Sequence, residues 1–388
     1  MSTLVADLEL SASLPLTALP PGATGALALV RLSGRPIGLA RLSGLTGTIT
    51  PEQWRRAIDA QIVLATPPPI PRAEPISIVV CTHERPDDLR RCLDALRPLV
   101  AAGHEALVVD NAPRTSRTAA VAGDYPVRYL VEPRQGLDYA RNLGLRAAQH
   151  AIVAYTDDDA APDRAWADAI AAPFTDAAVG CVTGLVLPLE LETPAQELFE
   201  RYCAHRRTFE RVTLSAPAVA PATAGIAGMG ANMALRRDLA LRLGGFDPRL
   251  DGGTPTCSGG DTDMFARVLA AGQQIVYTPD ALVWHRHRRE DEALRSCLFG
   301  YGVGLSSFLT KRLIEAGDWD APVIAARWTI GPFVKALRHR LRGEPTVPLR
   351  LLLHEAAGML LGPLRLRRAG AQHRTRAMEA EAYGYESA

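Results

Sequence analysis

This chain of 388 residues is short of several things. No uncharged apolar run reaches the ~18–20 residues that a membrane-spanning helix needs, so no such helix is expected. The start, "MSTLVADLELSASLPLTALPPGATG", has no basic residues followed by a continuous apolar stretch, and no secretion signal is read there. The six cysteines (Cys81, Cys92, Cys181, Cys203, Cys257, Cys297) are scattered, with no C-x-x-C pair. That argues against a zinc site or a disulfide framework and fits core thiols in a reducing cytoplasm. The net charge of +1 leaves no bulk field to bind nucleic acid. No G-x-G-x-x-G or Walker-type loop follows the first strand of the central region, which argues against a dinucleotide-dependent dehydrogenase or a P-loop NTPase.

What is present supports a large core. Apolar residues make up 47% of the chain, and its length suits two or three domains. Residues 24–49 read as short strands around turns, with "LSGRPIG" supplying the turn residues. Thr50 is a plausible N-cap for "TPEQWRRAIDAQIVLA", with Pro51 at the first helical position. The proline-rich "TPPPIPRAEP" then reads as an extended linker. The expected division is a small N-terminal α+β extension over 1–72, a central domain over 73–290 and a helical C-terminal region over 291–388.

The central region alternates. "PISIVVCT", "EALVVDN", "VRYLVE" and "AIVAYT" read as strands, and "RPDDLRRCLDALRPLVAAG", "GLDYARNLGLRAAQH" and "DRAWADAIAAPF" as helices. Continuous β-branched strands separated by helices predict an α/β, mainly parallel, Rossmann-like sheet covered on both faces. Ligands bind at the carboxyl ends of such strands. Three strands end in polar residues: Thr82 with His83, Glu84 and Arg85; Asp110 with Asn111; and the triplet Asp157, Asp158 and Asp159.

Residues two apart on a strand share a face, so spacing pairs Asp157 with Asp159. Neighbouring carboxylates tolerate each other around a divalent cation, and hard oxygen ligands suit Mg²⁺ or Mn²⁺. The plain alternative is a solvated acidic loop capping the next helix through Asp163. Asp261 and Asp263 open a helix, where the macrodipole favours negative charge, and either can serve as a general base at a cleft edge. On a strand, His285 and His287 fall on one face, as metal ligand or as basic strand end.

The ordered set "PISIVVCTHERPDDLRRCLDAL", "ALVVDNA", "GLDYARNLGL", "IVAYTDDDAAPDRAW", "GANMALRR", "LGGFDPRL", "GGDTDMFARVLAAG" and "VWHRHR" resembles family-2 glycosyltransferases of the GT-A fold, over about residues 74–300. The whole chain is similar to a bacterial, actinobacterial-type subgroup with an N-terminal extension. The resemblance implies an inverting, metal-dependent transfer of sugar from a nucleoside-diphosphate sugar to an acceptor hydroxyl of a glycan, lipid-linked or small molecule. Its DXD-type motif implies Asp158 as principal ligand of Mg²⁺ or Mn²⁺, with Asp159 and His285, and Asp157 toward the ribose. Thr82, Arg85, Asp110, Arg141 and Asn142 match nucleotide-contacting positions, and Asp261 matches the catalytic base. "THERP" departs from the commoner pattern at Glu84. Gly260 stands where relatives often carry an acid. Glycines 225–230 are expected either to line the donor sugar or to form a flexible loop.

The rivals are a nucleotidyltransferase, whose glycine-rich loop and lysine are missing here, and a non-catalytic sugar-binding or scaffold protein on the same fold. The helices of the C-terminal region read as amphipathic and basic. They suit the inner face of an anionic membrane, a lid, or a homodimer surface.

Overall fold

A computed structural model describes residues 2–64, 68–202 and 208–382. Cys203 and the start of the proline-rich stretch lie outside the described residues. Strand β1 (Ser2–Glu9) pairs in parallel with β2 (Ala23–Leu32), which turns back into β3 (Arg35–Ser43). The turn is Ser33–Gly34, both at positive φ, as a tight two-residue hairpin requires. β1 is absent from the sequence reading, since its burial comes from the parallel partner and not from a clean alternation of its own. Helix α1 (Pro51–Gln61) starts at Thr50 with a full capping box to Gln53 and drives Trp54 and Ile58 into this sheet.

The central sheet is built from β4 (Ser77–Thr82), β5 (Glu105–Asn111), β6 (Arg128–Glu132), β7 (Ile152–Asp157), β8 (Ala160–Pro162), β9 (Val179–Pro188), β10 (Val212–Leu214), β11 (Asn232–Arg236) and β12 (Gln274–His285). Its order among the described residues is β8-β12-β9-β11-β7-β4-β5-β6, with β10 also on β12. β9, β12, β7, β4, β5 and β6 run in one direction, and β11 is inserted antiparallel between β9 and β7. The expected α/β architecture with a mainly parallel sheet is therefore present.

Strand alternation splits the core between the two faces, with α3 (Arg117–Gly123), α6 (Pro194–Tyr202) and α7 (Arg237–Arg242) in the connections. Ile78 and Val80 point to α2 (Pro86–Ala101) and α5 (Trp166–Ala171), packing on Leu89, Leu93, Leu96 and Trp166. Val79, Leu107 and Tyr155 point to the side of α4 (Leu137–Ala147) and α8 (Gly260–Ala270). Gly144 of α4 lets the helix close on Val79, since a Cβ there would sit 2.5 Å from it.

The C-terminal region is helical, as expected: α9 (Asp291–Ala316), α10 (Ala321–Leu341) and α11 (Leu349–Ala382). α9 and α11 cross at backbone distance, because Gly302 meets Glu355 and Gly358 meets Phe299 with no side chain between. The N-terminal sheet rests on the central one through Leu29 and Leu39 against Leu185, Leu187, Leu282 and Trp284. Arg31 reaches Asp163 at 2.6 Å, and Arg35 Nε donates to Asp280 at 2.8 Å across the same seam. Asp163, the candidate cap, is thus shared between that seam and the turn at Ala165.

Candidate active site

The parallel register brings the polar strand ends together. Thr82 lies opposite Asp110, and Cys81 opposite Asp157, so β4, β5 and β7 finish on one edge. The aspartates then divide by the pleat. Asp158 turns to β4, accepting from Thr82 Oγ1 at 2.7 Å and from Arg85 at 3.2 Å. Asp159 turns to the antiparallel pair of β8 with β12, where its backbone carbonyl accepts from Arg286 N and its carboxylate meets His285 Nε2 at 3.1 Å.

Asp157, Asp159 and His285 offer ligand atoms all within 4.8 Å of one another. Asp159 and His285 were expected there. Asp158 was expected as principal ligand, but it faces Thr82 and Arg85, and Asp157 stands in the cluster in its place. Two carboxylate oxygens and an imidazole nitrogen form a donor set suited to a divalent cation. The other ring nitrogen of His285, Nδ1, is buried with no hydrogen-bond partner among the described residues.

The electrostatics carry the mark of crowded acids. Burial and the charge of Asp159 push the Asp157 carboxyl up. Burial pushes Asp158 up to about 7 against the pull of Arg85. Burial opposes the charge of Asp159 as well, but His285, Arg288 and Arg85 outweigh it and hold its carboxyl well below the usual range. Arg288, which the sequence did not single out, contacts Asp159 at 3.1 Å. Two carboxylates this close with one largely uncompensated are poised for positive charge.

Asp261 lies in the first turn of α8, half-buried. Gly230 N donates to its Oδ2 at 2.7 Å and Thr262 N to its Oδ1 at 2.6 Å. A Cβ at Gly230 would come within 3.0 Å of that Oδ2 and 2.6 Å of Arg141, so glycine permits the contact. Gly228 presses likewise on Thr183. These glycines are packed backbone, where a flexible loop was the alternative. Burial and Asp251 raise the Asp261 carboxyl, against Arg141 and the two amides, which makes it a stronger base than a free aspartate. Asp263, its rival, is fully buried and held by Lys311 at 2.7 Å and Arg267 at 2.8 Å.

Arg141 and Asn142 sit behind this surface. Arg141 is buried between Asp138 at 3.0 Å and Asp251 at 2.6 Å. Asn142 bonds the backbone of Phe246 through both ends of its amide. Asp138 fills the space beside Gly260, where a Cβ would meet its Oδ2 at 2.1 Å. That contact is the physical reason for glycine at that position. Asp138 and Asp251 escaped the sequence reading because only the fold joins them to Asp261. Asp110 accepts from Tyr129 at 2.8 Å, and burial raises its carboxyl. Glu84, the departure in "THERP", accepts from the backbone of Arg114 and Thr115 and from the Thr115 hydroxyl, so it fastens the loop after β5.

Residues 77–242 match the family described as glycosyl transferase family 2. An uncharacterised glycosyltransferase of Mycobacterium bovis is 31% identical over 185 residues, 47% of this chain and 76% of the relative. The chain belongs to glycosyl transferase family 2. It is also 29% identical over 259 residues to a pre-mycofactocin glycosyltransferase of Mycobacterium tuberculosis, 65% of this chain and 52% of the relative. The chain thus spans about half the length of that relative. Among solved structures, a mannosyltransferase of Pyrobaculum calidifontis in complex with GDP-Man and Mn²⁺ is 20% identical, covering 79% of this chain and 76% of that one, with a TM-score of 0.44.

Proposed function

We propose that this chain moves a sugar from a nucleoside-diphosphate sugar to an acceptor hydroxyl in a single inverting displacement, with residues 73–290 as the catalytic unit. The observation that carries it is the cluster of Asp157, Asp159 and His285, whose Asp157 shares the charge of buried Arg141 with Asp261. Asp157, Asp159 and His285 would hold Mg²⁺ or Mn²⁺. Bound there, the cation would offset the negative charge that develops on the departing diphosphate. The Mn²⁺ and GDP-Man named with the Pyrobaculum structure, and its mannosyl transfer, belong to that protein.

The chain's own residues supply the rest. Thr82, Asp110 and the Arg85–Asp158 pair form the edge on which the nucleotide lies. Asp261 takes the proton from the acceptor hydroxyl as that oxygen attacks the anomeric carbon. The carbon–oxygen bond to the diphosphate breaks on the opposite side, and configuration inverts. Arg141, held by Asp138 and Asp251, opposes the rise in the Asp261 pKa that burial and Asp251 cause. Residence in the cytoplasm belongs to the same reading.

Calorimetry with UDP and with GDP, each with and without Mn²⁺, tests the donor side. Binding of one nucleotide that strengthens with Mn²⁺ is expected, and is lost with Asp159→Asn. Absence of binding by both nucleotides in all conditions would remove the proposal.

A further inference from the structure

Thirteen of the seventeen large hydrophobic side chains most exposed among the described residues lie between Ile314 and Leu364. On α10 only Ala321 is buried. Val323, Ile330, Val334, Leu337 and Leu341 are exposed, and intervals of seven, four, three and four residues place them in one stripe. Away from the stripe, Ile324 and Ala325 of the first turn pack on the central core, while Trp328 further along is 46% exposed. The outward stripe is therefore turned away from the protein.

Charge accompanies the stripe. From Ala321 to Arg342 there is no aspartate or glutamate, whereas Arg327, Lys335, Arg338, Arg340 and Arg342 are all basic. Arg327 and Arg338 each lie four residues beyond a stripe residue and so flank it. α11, which packs against α10, repeats the pattern with exposed Leu349, Leu353, Leu360 and Leu364, followed by Arg365, Arg367 and Arg368. Trp319 at the entry to α10 is 79% exposed, and exposed tryptophan suits a headgroup boundary. No helix among the described residues is long and apolar enough to cross a membrane, so these helices have the properties of elements that lie on one.

We propose that α10 and the first half of α11 form a single face that seats this protein on an anionic lipid bilayer. Leucine, isoleucine and valine of the stripe enter the headgroup boundary, and the flanking arginines and lysine meet the lipid phosphates. A second copy of the chain is a poorer occupant, because the same cations would face one another. The proposal goes beyond the transferase reading and does not depend on it.

Co-sedimentation of the full chain tests it, using vesicles of phosphatidylglycerol mixed with phosphatidylcholine against phosphatidylcholine alone. Binding to the mixed vesicles that weakens as salt rises is expected. Ile330→Glu with Leu337→Glu should abolish it, and Arg338→Gln and Arg342→Gln should each weaken it about fivefold. These side chains are exposed, so a folded variant is expected, and unchanged nucleotide binding by calorimetry checks that. Equal binding by wild type and the Ile330→Glu, Leu337→Glu variant would overturn the proposal, as would no binding to either vesicle. So would sedimentation velocity showing a dimer that the same variant splits, with no vesicle binding, since the face would then join two copies.

Discussion

At the residue scale, two aspartates two positions apart have opposite fates. Asp261 is half-open and held by backbone amides, while Asp263 is sealed by Lys311 and Arg267. Asp261→Asn keeps the side chain's size but removes its proton acceptor. Turnover should fall by about 10²–10⁴-fold with little change in donor affinity, read from transfer rates and nucleotide titration. Asp263→Asn should instead cost about 1–3 kcal/mol of stability by weakening the bonds to Lys311, which keeps Asp247, and to Arg267, read from denaturant unfolding. Normal turnover in Asp261→Asn would sink the assignment. Asp247 gives a pH test. Burial opposes its charge, but Arg249 and Lys311 outweigh that and hold its carboxyl below the usual value. A lowered folded pKa stabilises the protein above the unfolded value of about 3.8 and loses that contribution as pH falls below it. The melting temperature of wild type should therefore drop more steeply below about pH 4 than that of Asp247→Asn. Much of the site was legible at this scale, because Thr82, Asp110 and Asp157 end strands whose apolar runs were plain. The pleat already paired Asp157 with Asp159, and family register alone moved the expectation to Asp158. Asp251 and Lys311 were not legible, since a loop residue and a helix residue reach the site only through folding.

At the scale of elements, glycines decide how closely helices approach. Gly358 of α11 and Gly331 of α10 look alike in sequence. A Cβ at Gly358 would lie 2.1 Å from the Phe299 carbonyl oxygen, whereas Gly331 has nothing within 4 Å. Gly358→Ala should destabilise by about 1–3 kcal/mol through overpacking. Gly331→Ala should stabilise by roughly 0.5–1 kcal/mol, through helix propensity alone. Unfolding midpoints of the two variants moving in the same direction would contradict this packing account. The same crossing supports the base, for Gly304 of α9 closes on Ser258 just before α8. Helix existence was readable from periodicity here, but which glycine was a contact and which a bare position was not. That depends on a partner more than fifty residues away.

For the whole molecule, the alternation of strands and helices made the central sheet legible, because parallel strands buried on both faces write continuous apolar runs. The resting place of the first seventy residues was not. Leu29 and Leu39 look like ordinary strand residues, and their partners Leu185, Leu187 and Leu282 are 146 to 253 positions further on. That seam sets an order of events during synthesis. β2 and β3 can pair as soon as they leave the ribosome, but their outer face finds its cover only after β12 has been made. Until then an apolar patch travels in the open, with Arg35 lacking Asp280 and Arg31 held by Asp7 but lacking Asp163, and docking must wait for a contact of very long sequence separation. At synthesis rates of about 5–20 residues per second the wait lasts on the order of ten seconds or more. Over that interval the nascent N-terminal sheet is the part of the chain most exposed to wrong partners, and the natural client of a chaperone at the tunnel exit.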